Sequence, residues 1–197
     1  MDAASYRCES MPTPTAIAAM TRCMLHTNRL LAGGVLRRPS THVGRRLRFA
    51  DGSTAGIYRE TRVMGREPAE PAVLIVGFTL RVVHTARAHA VFRTESLLNT
   101  MFFAGFPGFE SKLWLRHDER GRYRGLYQWD GSDEAEYYVA ALHHVLGPVS
   151  RTGSIDHKVL PGRRRDELLR HPEEPVNSAR GWPPAWWRVV DVRPPWP

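Results

Sequence analysis

Eleven residues from Val73 to Val83, dominated by Val, Ile, Leu and Phe, constrain the fold of this chain more than any other feature. β-Branched and aromatic side chains in an uninterrupted run of that length build a strand, and side chains two apart share a face. Leu74, Val76, Phe78, Leu80 and Val82 make one wholly apolar face. Val73, Ile75, Gly77, Thr79, Arg81 and Val83 make a mixed one. Such a strand belongs inside a sheet, with helices over the apolar face and something partly polar over the other.

The elements after this strand set the topology. Thr85 suits the N-cap of a helix over 86–103, with Ala88, Val91, Phe92, Leu98 and Phe102 on one stripe. Gly105, Pro107 and Gly108 end it. Strands over 110–116 and 122–129 flank the polar turn 118–121. Asp130-Gly131-Ser132 then opens a helix over 133–146, whose early acids Asp133, Glu134 and Glu136 suit the positive end of its dipole. A last strand spans 154–160. Strand, helix, strand, strand, helix, strand is the split βαβ order of a ferredoxin-like α+β domain, placed at 71–162.

The flanks read differently. Residues 1–45 are rich in Arg, Ala, Thr and Pro, and no acid occurs between Glu9 and Asp51. This is the composition of a mobile Arg-rich extension, either a transit-peptide-like leader or an upstream segment without a targeting role. Residues 46–70 read as a β-hairpin about Asp51-Gly52, with positive φ at both turn residues, and a linker. Residues 163–197 form an Arg-, Pro- and Trp-rich tail in which Trp182, Trp186, Trp187 and Trp196 favour packing against the domain or a second subunit over hanging free in water.

Net charge narrows the partners. The total of +8 divides into +5 over 1–70, +1 over 71–162 and +2 over 163–197. The core is thus nearly neutral, which argues against nucleic acid as a partner, and 26 of the 28 basic residues are Arg, a composition bias that makes the high pI a poor guide to function. Both cysteines, Cys8 and Cys23, precede the core, which leaves no disulfide framework and no cysteine nucleophile there. No apolar, uncharged window is long enough to span a bilayer, and without a secretory layout the default location is cytoplasmic. The His spacings make no metal set, and glycine-rich nucleotide loops and the serine-hydrolase elbow are absent.

The residues best placed to carry chemistry are aromatic. Trp114, Tyr123, Tyr127 and Trp129 share strand parity, with Gly125 leaving room between rings. They either line a pocket for a flat organic ligand or serve as core and interface aromatics. Alternation assigns Arg81, Lys112, Arg116 and His157, with the aromatic set, to the mixed face that holds Thr79. There they would hold a carboxylate or phenolate, or lie solvated at the sheet ends. On the 86–103 helix, Glu95 beside Asn99 is a candidate general base if burial raises its pKa, or an ordinary partner of an arginine.

The stretches FRTESLLNTMFFAGFPGFESKLWL, GRYRGLYQWDGSDEAEYYVAAL and GSIDHKVLPG, in this element order, resemble the dimeric α+β-barrel superfamily, which includes antibiotic-biosynthesis monooxygenases and YdhR-like proteins. The resemblance implies a homodimer whose paired sheets enclose a lumen. It also implies a cofactor-independent oxygenase or cyclase of secondary metabolism, acting on an aromatic, polyketide-like small molecule. Trp129 matches the ligand-touching Trp of haem-degrading relatives, but Val139 stands near where their haem-ligating His falls, so no cofactor is expected. On this reading Trp114, Tyr123, Tyr127, Trp129 and Asn99 bind substrate, and Glu95, His157 and Arg81 supply the polar chemistry. The alternative is a small-molecule-binding or interaction module of the same fold without turnover.

Overall fold

The computed structural model describes residues 11–81, 103–172 and 185–195. In chain order they form α1 (Thr13–Ala32), β1 (Leu36–Arg37), β2 (Arg46–Phe49), β3 (Thr54–Val63), β4 (Pro71–Thr79), β5 (Phe109–Leu115), β6 (Arg122–Asp130), α2 (Ser132–Leu146), β7 (Asp156–Pro161), α3 (Arg165–Arg170) and β8 (Val189–Arg193). The expected 86–103 helix lies almost wholly outside the described residues, as do Glu95 and Asn99.

The strands make one curled antiparallel sheet in the order β7-β4-β6-β5-β3-β2-β8, with β1 beside β3. Its first four strands have the 4-1-3-2 order of a ferredoxin-like α+β fold. The other strands extend the β5 edge, which would otherwise offer unpaired backbone to water. Between β2 and β3 the Gly52 N–H donates to the Phe49 carbonyl oxygen at 3.0 Å. Gly52 has φ of 81°, whereas Asp51 is not in the left-handed region, so the turn needs one positive φ and not the expected two.

Register decides what each face carries. Directly opposed residues of antiparallel strands point to the same side. Leu74 opposes Tyr127, Val76 opposes Gly125, Phe78 opposes Tyr123 and Ala72 opposes Trp129. The aromatic set therefore lies with the apolar face of β4, beneath the helices, and not with Thr79, which opposes Arg122. A one-residue slip in register inverts every side chain, and parity within one strand cannot reveal it. The helix-side core joins Leu74, Val76, Tyr127 and Trp129 to Tyr138, Val139 and Leu142 of α2 and to Ala19 and Cys23 of α1.

The segment read as a mobile extension thus contains a helix of 20 residues. Ala16, Ala19, Cys23 and Thr27 bury a stripe of small side chains along it, and His26 Nδ1 lies 2.9 Å from the Gly105 carbonyl oxygen.

The mixed face is covered within the chain. Val73, Ile75, Leu113 and Leu126 pack with Leu47, Phe49 and Ile57 from the curled end of the sheet, Leu169 of α3 and Val189 of β8, and Trp186 and Trp187 close the margin. The sheet face that the resemblance would pair with a second copy is covered here by the chain's own curled strands and tail. Among the described residues, no helix is long and apolar enough to cross a membrane.

Candidate functional site

Between the sheet and α2 lies a cavity of about 40 Å³ whose described lining includes Tyr58, Phe78, Phe103, Lys112, Trp114, Tyr123, Tyr127 and Tyr138. Three of the four sequence-predicted aromatic residues, Trp114, Tyr123 and Tyr127, meet there. Gly125 makes this possible by having no side chain, because a Cβ at that position would come within 2.6 Å of the Tyr127 ring.

Lys112 is the polar centre of this lining. It opposes Tyr127 across β5 and β6 and so points under the helices. Its Nζ is 3.3 Å from the Trp114 ring centroid, 4.4 Å from that of Phe103 and 4.6 Å from that of Tyr127. Among the described residues no carboxylate pairs with it. Burial pushes this amine well below the usual lysine range, and the charge of Arg59 adds to the effect. The rings act the other way, each favouring the ammonium by about 0.5–2 kcal/mol. Desolvation of an unpaired charge costs more than that sum, so burial favours the neutral amine while the cage still accepts the protonated form.

The surroundings are fixed. Trp114 Nε1 donates to Thr61 Oγ1 at 3.2 Å, and the Arg59 guanidinium lies 3.9 Å from the same indole ring. Burial lowers the pKa of Arg59 to about 10. The hydroxyls of Tyr127 and Tyr138 are 3.3 Å apart, and burial holds both phenols above the ordinary tyrosine range. The lining therefore offers a buried amine, phenol hydroxyls and ring faces, with the Arg59 guanidinium against the Trp114 ring, which suits a flat molecule that becomes an anion.

Other sequence-predicted residues go elsewhere. Trp129 is completely buried and packs on Phe109 and Tyr138, with ring centroids 5.6 and 5.1 Å away. It is core and not the floor of a lumen. His157 opposes Val76, and its Nε2 is 3.0 Å from Glu136 Oε2 of α2, an ion-pair geometry at the domain edge. Arg81 lies just past β4, exposed, and is not part of the cavity's described lining. Arg116 is exposed as well. Alternation finds Lys112 but puts it on the wrong face. It misses Tyr58 and Arg59, because only the β3–β5 pairing brings those residues to Trp114. Among the described residues no three His, Cys, Asp or Glu side chains cluster as metal ligands.

No family model matches the chain, and no curated protein matches it. Similar solved structures include a ferredoxin-fold protein from Listeria monocytogenes related to antibiotic biosynthesis monooxygenases, with 11% identity over 57% of this chain and 66% of that one, TM-score 0.41. A monooxygenase-like protein of Listeria innocua has 12% identity over 58% of this chain and 66% of that one, TM-score 0.41. SnoaB, a cofactor-independent oxygenase from Streptomyces nogalater, has 25% identity over 49% of this chain and 96% of that one, TM-score 0.37. The solved structures that this chain resembles thus include a ferredoxin-fold relative of monooxygenases, a monooxygenase-like protein and an oxygenase.

Proposed function

We propose that the cavity binds a flat, weakly acidic aromatic molecule and promotes its oxidation by dioxygen without a bound cofactor. The observation that carries this reading is the Lys112 amine, inside a cage of Phe103, Trp114 and Tyr127 and without a carboxylate among the described residues. A neutral amine takes a proton from a phenol or an activated ring CH₂. The ammonium that results, with Arg59 nearby, holds the phenolate or enolate in a site closed to water. Such an anion is electron-rich enough to give an electron to dioxygen directly. Recombination with superoxide forms a hydroperoxide on the substrate carbon, and loss of that carbon's remaining hydrogen breaks the O–O bond, leaving a carbonyl and releasing water. The protein orients the ring, holds the proton and excludes solvent.

The small size of the cavity favours a second reading, a binding module with the same lining and no turnover. A volume near 40 Å³ holds one or two waters, so a fused-ring ligand enters only if lining side chains move. Oxygen uptake with 1,8-dihydroxyanthrone as probe separates the two. Turnover that falls at least a hundredfold in Lys112→Met, with the probe still bound, supports the oxygenase. Binding without oxygen uptake in the unaltered protein leaves the module, and neither binding nor uptake removes both readings.

A further inference from the structure

A second cleft lies away from the aromatic cavity, where the end of β3, the linker after it, the start of β5 and α3 meet. It measures about 150 Å³, and its described lining includes Arg62, Arg66, Glu110, Arg164, Arg165 and Arg170. Five guanidinium groups, from β3, the linker and the α3 region, converge there. Arg165 is 1% exposed and pairs with Glu60 and Asp166 through Nη2, yet its Nη1 is buried without a hydrogen-bond partner among the described residues. Arg62, Arg66, Arg164 and Arg170 form no side-chain ion pair among the described residues.

Glu110 is the odd member. The β5–β6 pairing steps from Phe109 opposite Trp129 to Ser111 opposite Gln128, so Glu110 is the extra residue of a β-bulge. Bulges re-aim side chains, and this one is 6% exposed with Oε1 buried and unpartnered. A carboxylate among arginines ordinarily forms a salt bridge, and among the described residues this one does not. Burial, and after it the charge of Asp130, raises its pKa to about 7 against the pull of Arg62, Arg164 and Arg66. The charged and titratable groups around it are Arg62 of β3, Arg66 and Glu67 of the linker, Asp130 of β6, Arg164 before α3, and His26 of α1 across the adjoining hollow.

We propose that this cleft is a binding site for a phosphate ester, in which the guanidinium groups take the tetrahedral dianion and protonated Glu110 donates its hydroxyl hydrogen to a phosphate oxygen. Charge supports a dianion. The five arginines face Glu67, Glu110 and Asp166 across the cleft, a net +2 that becomes +3 when Glu110 is neutral. An orphan donor and an orphan carboxyl in one wall are the groups that such an oxyanion would satisfy. Size keeps the ligand to a small molecule or the phosphate end of a larger one.

Sulfate is the probe, because unlike phosphate it does not titrate between pH 6 and 8. Calorimetric titration of the full chain, with chloride at matched ionic strength as control, reads the site. If binding requires the protonated carboxyl, a group with a pKa of about 7 makes the affinity about tenfold tighter at pH 6 than at pH 8. Glu110→Gln, which keeps shape and a donor, should bind equally at both pH values. Arg62→Gln with Arg164→Gln, two exposed positions that leave the core intact, should lose at least tenfold. Phenyl phosphate should compete with sulfate. Sulfate heat no greater than the chloride control, or full affinity in the double arginine variant, overturns the site. A pH dependence that survives in Glu110→Gln overturns the role of Glu110.

Discussion

The two faces of the sheet bury charge in opposite ways. On the tail-covered face Arg124 is fully enclosed and donates to Asp118 at 2.7 Å, to Asp51 at 3.1 Å, to Ser53 at 2.9 Å and to the Trp186 carbonyl at 3.2 Å. On the same side Arg165 and His42 share Glu60 at 2.9 and 3.0 Å, and Gln128 accepts from the Arg165 backbone N–H. These groups tie the hairpin turn, the segment between β1 and β2, the β5–β6 turn, α3 and the tail to the sheet. On the helix-covered face Lys112 has rings instead of carboxylates. A paired buried charge is a fastening. An unpaired one costs stability, and its place at the wall of a cavity makes it a candidate for a functional role.

Substitution with Met separates the two. Arg124→Met leaves Asp118 and Asp51 with uncompensated buried charge and should lower stability by about 3–5 kcal/mol. Lys112→Met removes a group that has no carboxylate partner among the described residues and fills the same space, so urea denaturation should find it neutral or more stable, by up to about 2 kcal/mol. Equal losses for both would mean that Lys112 too is a structural fastening. The cavity would then be a packing detail.

A smaller effect tests the cavity's shape. Gly125→Ala puts a methyl group against the Tyr127 ring, and such overpacking costs about 1–3 kcal/mol. Because Tyr127 also bounds the Lys112 cage, the same variant should change the binding of an aromatic probe, read by quenching of Trp114 fluorescence. A harmless Gly125→Ala with unchanged binding would place the ring elsewhere.

Much of this architecture is legible in the sequence, and the rest is hidden for identifiable physical causes. Strand and helix periodicity locates β4, β5, β6, α2 and β7 to within a few residues, since each element is bounded by Gly, Pro or Asp and carries its own pattern. Parity gathers Trp114, Tyr123 and Tyr127 into one site. Which face they share depends on register between β4 and β6, a non-local quantity, and so parity alone sends Trp129 to the lumen and His157 to its mouth. The sequence allows a modest amphipathic helix over 16–31, but its docking as α1 is hidden for another reason. It docks through Ala, Cys and Thr, which bury little apolar area each, so its small-residue stripe does not announce a packed face. The closure of the mixed face is half visible, because the tail's tryptophans demand burial without saying against what.

The pH dependence of stability resolves the contrast most finely. Lys112 has a folded pKa below its ordinary 10.5. Between the two values the unfolded chain binds a proton that the folded one does not, so stability rises with pH there, by at most about 1.4 kcal/mol per unit. Tyr127 and Tyr138 have folded values above the ordinary 10.0. Above pH 10 the unfolded chain has lost protons that the folded one keeps, and stability falls. The cavity face therefore contributes a rise with pH that ends near the ordinary lysine value and a fall beyond about pH 10. The fastened face acts in acid. Glu60, despite burial, is held below the usual carboxylate range by His42 and Arg165, and Asp166 by Arg165. Their contribution is complete above the unfolded carboxylate values and is lost as pH falls through the lowered ones. Urea midpoints from about pH 3 to 11 should show both limbs, and Lys112→Met should flatten the rise from the cavity face while leaving the acid limb in place. A rise that persists in that variant would assign it to another group and leave Lys112 charged, unable to take the proton from a bound phenol.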